Sequence, residues 1–390
     1  MKKKAKDKTS DHGNSIGVVG VAVLPKGIRS TFDKFIEDLA KQATVSSIGL
    51  FGSWPRYEAS PASDYDVLVV DRKRYDFEFR ERVEYGGLMM DITRIPNEWV
   101  GRVVIPEVDH MLSESIILYD PSGMLKRAKD WVAANYRTPG RIEVRTEKYL
   151  SMADTLHSRA SAARVRGDIE TASLFSDMAL VTVGHIIIDI ADLPITRSAF
   201  IWNLRRACDV IDMIGIYKVI ITAMRLSGLE KGDVSSYLDR FENVWRRVSR
   251  YMEDNQDVIK GLHERLRNEI SYLTDPTMLK GIFSRAEEMI DENNFIEAAH
   301  YMRGWLQPLI EDYAWLIAAK QGNKLDYTSL IRTIKLYEGP GGIYDNAAEI
   351  FNIKNIEANA VQQEIETVRS IIAHTRKKRR EMIDSFAGRA

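Results

Sequence analysis

The spacing of apolar residues changes its period near residue 140, and no other feature constrains the fold as much. Before that point, short apolar and β-branched runs are broken by Gly, Pro, Asp and Ser. Ser46-Ser47-Ile48-Gly49-Leu50-Phe51 reads as a strand that stops abruptly at Gly52-Ser53. Further strands are expected at residues 65–70, 88–95 and 115–119, the last closed by Asp120-Pro121-Ser122-Gly123. A short apolar run at 16–24 adds one more. A helix is expected at 30–42, where Phe32, Phe35, Ile36 and Leu39 recur at helical spacing and Ser30 or Thr31 can cap it. A second is expected at about 122–135.

After Thr138-Pro139-Gly140 the strand signals nearly vanish. Long stretches keep apolar residues at i, i+3, i+4 and i+7. Leu174, Met178, Val181, His185, Ile188 and Asp192, for example, trace one side of a helix. The expected class is α+β, a small mixed-sheet domain followed by a large all-helical one. The divisions are a basic leader with a short strand (1–29), the sheet domain (30–140) and the helical domain (141–390). Gly167-Asp168-Ile169-Glu170 and Asn294-Phe295-Ile296-Glu297 each open a long apolar helix. Another helix follows each about 30 residues later, so two repeated helical units are expected.

Composition narrows the class. The 390 residues carry 55 basic and 56 acidic side chains, and 45% are hydrophobic. That excludes a wholly disordered chain, a collagen and a disulfide scaffold. Cys208 stands alone, so no internal disulfide can form, which favours a reducing, cytoplasmic setting. The basic start runs into polar Thr9-Ser10-Asp11 rather than an apolar core, unlike a signal peptide. The greasy segment 179–193 is shorter than the roughly 20 residues a membrane span needs. It reads as a buried helix, and no membrane partner is expected. Near-neutral charge excludes a surface given over wholly to nucleic acid. It leaves room for RNA contacts through the Lys2–Lys8 leader or the run Arg376-Lys377-Lys378-Arg379-Arg380, whose plainer reading is a solvated helix end.

The chemistry concentrates in one segment. Gly52 lets the backbone turn sharply and come close to an anion. Ser53 adds an amide and a hydroxyl for phosphate oxygens. Ten residues later comes Asp64-Tyr65-Asp66, running into an apolar strand. Two carboxylates two apart on a strand share a face. They repel unless a cation lies between them, which is how carboxylates hold Mg²⁺ beside substrate phosphates. Asp91, isolated within Met89-Met90-Asp91-Ile92-Thr93, is the candidate third carboxylate.

Apolar-Gly-Ser, about ten residues, Asp-apolar-Asp and a later strand Asp together resemble the DNA polymerase β nucleotidyltransferase superfamily. The resemblance covers about residues 30–135. It implies that Gly52 and Ser53 bind phosphate, with Arg56 following them, and that Asp64, Asp66 and Asp91 are catalytic and hold two Mg²⁺ ions. The strand and turn at residues 117–123 and the helical second half look like the kanamycin nucleotidyltransferase type. The implied reaction moves an NMP from an NTP, ATP foremost, to a hydroxyl with release of pyrophosphate. The acceptor expected is a small molecule, with an RNA end or a protein hydroxyl as alternatives. A homodimer is compatible with this. A nucleotide- or RNA-binding scaffold, or one half of a toxin–antitoxin pair, is the reading from another class.

Other signals have plainer explanations. His185 and Asp189, one helical turn apart, read as a hydrogen-bonded core pair rather than metal ligands. Arg369 and His374 fit the Arg-x4-His pattern of HEPN-type ribonucleases but read as a turn of the last helix. Gly339-Pro340-Gly341-Gly342 reads as a flexible turn. Trp202, Trp245, Trp305 and Trp315 read as core.

Overall fold

The computed structural model describes residues 23–60, 63–338 and 342–386. The Lys2–Lys8 leader, most of the strand expected at 16–24, and Gly339, Pro340 and Gly341 lie outside the described residues.

The architecture is α+β. Five strands, β1 (Val45–Phe51), β2 (Tyr65–Asp71), β3 (Phe79–Tyr85), β4 (Leu88–Pro96) and β5 (Ile116–Tyr119), form one mixed sheet in the order β3-β4-β2-β1-β5. Only β2 and β4 run parallel. β2 is apolar without a break because both its faces are covered. Val67 and Val69 pack towards α1 (Lys26–Ala40), with Phe32, Phe35 and Ile36. Leu68 and Val70 pack on the other side with Leu112 of α2 (Asp109–Glu114) and Leu125 and Val132 of α3 (Met124–Asn135).

Two expectations need correction. α1 begins four residues before Ser30, directly after Pro25, with no side-chain cap. The fixed φ of proline starts it in place of a hydroxyl. Strand β3 was not expected at all. Its charged residues, Arg80, Glu81, Arg82 and Glu84, hide the alternation of Phe79, Val83 and Tyr85. The readable signal was Gly86-Gly87, whose positive φ values of 57° and 82° make the tight hairpin turn into β4.

From α4 (Pro139–Val165) and α5 (Ile169–Ile190) onwards the described residues form helices around one apolar core of their own. α5 is long and apolar enough to cross a membrane by length and composition, and it is buried within that core. The two segments read as repeats follow the same order. A long helix (α5, or Phe295–Lys320) leads to a 3-10 turn (Arg197–Ala199, or Tyr327–Ser329) and a short helix (Phe200–Val210, or Leu330–Glu338). The pairs cap each other. Glu297 accepts from the amides of Ile201 and Trp202 at 3.1 and 2.9 Å. In return, Thr171 and Asp168 accept from the amides of Ile331 and Arg332 at 2.8 and 3.2 Å. Orphan amides at a helix start need such acceptors. Each short helix therefore depends on the first turn of the other unit's long helix.

His185 and Asp189 do not pair with each other. Asp189 takes three hydrogen bonds from Arg145 of α4, and charge-assisted bonds of that kind outcompete a neutral imidazole. His185 packs between Tyr149, tilted against it, and Phe200, edge-on to it, and burial lowers its pKa to about 4. Arg369 and His374 are exposed on the last helix (Ala358–Phe386). In the basic run there, Arg376 pairs with Asp154 at 2.5 Å and Arg379 with Glu147 on α4. Lys377 and Arg380 form no ion pair among the described residues.

Candidate active site

Strand register assembles the site. Phe51 of β1 lies opposite Asp66 of β2, Asp66 beside Asp91 of β4, and Asp91 opposite Arg82 of β3. One row across the sheet therefore holds two carboxylates and a guanidinium. Asp64, two residues before Asp66, falls on the same face just ahead of β2. Gly52 ends β1 with φ at +80°, and a Cβ there would collide with the Asp66 carboxylate. The glycine therefore serves the carboxylate as well as the turn. Trp54 fixes the following loop: it stacks on Tyr65 at 5.1 Å, and its indole N–H donates to the Asp64 carbonyl at 3.1 Å.

The carboxylates differ in their partners. Asp64 accepts from Arg82 Nη1 at 2.7 Å. The same nitrogen lies 3.5 Å from Asp91, which also accepts from the Tyr272 hydroxyl at 2.6 Å. Asp66 accepts no hydrogen bond among the described residues. Burial, then the charges of Asp91 and Asp64, push its pKa well above the usual carboxylate range. Burial also raises Asp91, against the pull of Tyr272 and Arg82.

The Gly-Ser turn is engaged too. The Gly52 amide donates to Glu114 Oε1 at 2.9 Å, and Arg56 pairs with Glu114 and with Glu58. An internal carboxylate thus sits on the amide and the arginine expected to meet phosphate. Ser53 lines the same cleft.

The helical half supplies the facing wall. Arg82 is fixed from that side by Thr277, whose hydroxyl accepts from Nε at 3.1 Å. Arg197, Trp202, Arg206, Arg285, Tyr301 and Trp305 close a cleft of about 540 Å³ over the carboxylates.

All six expected site residues, Gly52, Ser53, Arg56, Asp64, Asp66 and Asp91, line this one cleft. Among the described residues no three His, Cys, Asp or Glu side chains form a ready metal cage. Arg82 lies between two of the candidates. The donor set still suits a hard divalent cation: all ligands are carboxylate oxygens, and Asp66 is half-buried, repelled by its neighbours and unpaired among the described residues. Sequence reasoning missed Arg82, Glu114, Tyr272 and Arg197. Arg82 was findable from the Gly86-Gly87 hairpin, and the others carry no local signature.

No family model matches the chain, and no curated protein matches it in sequence. Among solved structures it is similar to a nucleotidyltransferase-like protein from Exiguobacterium sibiricum 255-15. The two are 12% identical, with 79% of this chain and 87% of that chain covered and a TM-score of 0.26. A superposition that loose carries no weight for function.

Proposed function

We propose that the protein is a nucleotidyltransferase that moves an NMP from an NTP, ATP foremost, to an acceptor hydroxyl. The observation that carries this reading is the row of Asp66 and Asp91, with Asp64 on the same face, beside the Gly52-Ser53 turn. Asp64, Asp66 and Asp91 would hold Mg²⁺, which when bound offsets the triphosphate charge and acidifies a hydroxyl.

The chain's own groups do the rest. Ser53 and the Gly52 amide receive phosphate oxygens as Glu114 turns aside, and Arg56 Nη1 is released from Glu114 while Nε keeps Glu58. The acceptor oxygen attacks the α-phosphorus, forming a new O–P bond. The bond from that phosphorus to the β-phosphate oxygen breaks, and pyrophosphate leaves with the electron pair. Asp91 takes the hydroxyl proton. Tyr272 holds one of its oxygens in place for this. A cleft of about 540 Å³ suits a small acceptor.

The test incubates α-labelled NTPs with Mg²⁺ and cell extract. Pyrophosphate release and label transfer are expected, falling on the order of a thousandfold or more in Asp66→Asn. Equal turnover in that variant would sink the reading. Saturable NTP binding with no turnover in any mixture would favour a nucleotide-binding scaffold.

A further inference from the structure

Most charges that line the cleft are already paired. Arg56 takes Glu58 and Glu114, Arg82 takes Asp64, and Arg285 takes Glu288. On the helical wall Arg197 and Arg206 form no ion pair and no side-chain hydrogen bond among the described residues. Arg197 is exposed to solvent. It lines this cleft and also an adjoining cavity of about 500 Å³, where Arg80, Tyr272 and Trp305 surround it. Its guanidinium lies 3.9 Å over the Trp305 ring centroid. An unpaired cation in such a place gains from an arriving anion.

Trp202 and Arg206 stand four residues apart on the helix Phe200–Val210 and so share a face. Trp202 is 60% exposed, so its indole face is open to a ligand ring. The wall therefore offers two unpaired guanidinium groups beside a flat apolar surface. A polycationic acceptor would meet repulsion there.

We propose that Arg197, Trp202 and Arg206 form the acceptor subsite, and that the acceptor bears a phosphate ester next to a planar ring. This rests on the nucleotidyltransferase reading, because the acceptor hydroxyl must face Asp91 while the NTP occupies the Gly52-Ser53 side. The arginines bind the phosphate as bidentate donors, and Trp202 stacks on the ring. A free mononucleotide and the end of an RNA present the same chemistry.

The test uses the full chain, Mg²⁺ and a saturating α,β-methylene ATP analogue, which reports the first site by calorimetry. AMP, a short single-stranded RNA and neamine are then titrated separately. AMP or the RNA is expected to bind, more weakly as salt rises. Arg197→Gln and Arg206→Gln should each weaken that binding about tenfold and leave the analogue unchanged. Arg197→Lys should recover part of the loss. Arg197 and Arg206 are both exposed, so each variant reads the subsite independently of the fold. Tighter binding of RNA than of AMP would identify the source as an RNA end. Preference for neamine, or no binding of either phosphate probe, would overturn the proposal. So would loss of analogue binding in Arg197→Gln with AMP unaffected, which would assign the arginine to the triphosphate. If the analogue fails to bind the unaltered protein, the nucleotidyltransferase reading fails separately. AMP titrated alone then still reads the arginine subsite.

Discussion

Two groups of acids behave in opposite ways. At the junction of the halves, Asp109 of α2 and Asp189 of α5 are both essentially buried. Arg141 grips Asp109 through Nε at 2.7 Å and Nη2 at 2.6 Å. Arg145 lies 3.4 Å from Asp109, bonds Asp189 at 2.8 Å and donates to the Tyr136 carbonyl at 2.8 Å. Every charge there has a counter-charge. In the cleft, Asp64, Asp66 and Asp91 share a single guanidinium, and Asp66 has no donor among the described residues. Charges that hold the fold are neutralised within the fold, whereas those in the cleft are left for something else to neutralise.

The largest expected effect breaks the first group. Arg145→Ala strands the buried Asp189 and should cost about 3–5 kcal/mol, read as a fall in Tm and in the urea midpoint. Asp66→Asn, by contrast, removes a charge that its neighbours oppose. Its stability should hold or rise by about 1 kcal/mol while transfer is lost, a common trade at functional sites. If Asp66→Asn proved the more damaging to stability, the contrast between the two groups would collapse.

A smaller effect tests the geometry that lets Asp66 stand where it does. Gly52→Ala places a side chain at positive φ and against the Asp66 carboxylate. A loss of about 1–3 kcal/mol is expected, together with loss of NTP-analogue binding. Gly87, also at positive φ but with open space around it, is the control. Gly87→Ala should show the backbone cost alone and keep analogue binding.

The sheet and the helical half were legible because their periods differ, and β2 announced itself by an unbroken apolar run under two covers. β3 was not, because four charged residues mask its alternation, and only Gly86-Gly87 marked it. Asp64, Asp66 and Asp91 were visible because isolated carboxylates at strand ends have few structural uses. Glu114, Tyr272 and Arg197 were invisible. They reach the cleft from α2, from the helix Glu264–Leu273 and from a 3-10 turn, and no spacing along the chain encodes a meeting across 181 residues such as that of Tyr272 with Asp91. The His185–Asp189 pairing failed for the same reason. Helical spacing put the two on one face, but Arg145 arrived from another helix.

A third acid pair lies between the two extremes and gives the smallest predicted effect. Asp177 and Glu364 share Arg225, at 2.9 and 3.0 Å, and Ser173 adds a hydroxyl 3.0 Å from Glu364. One cation serves two carboxylates. Burial, then the charge of Asp177, pushes the Glu364 pKa up to about 8. The folded state thus holds a proton that the unfolded chain releases near pH 4.5. Stability from this group is complete below that value and drains away as pH rises towards 8. Tm should therefore fall between pH 5 and pH 8. Glu364→Gln, neutral at every pH, should shrink that fall. Glu311, pushed up to about 7 by burial, contributes with the same sign, so some slope remains. An unchanged slope in Glu364→Gln would mean that Arg225 neutralises both carboxylates, placing this pair with the fully paired junction rather than between it and the open cleft.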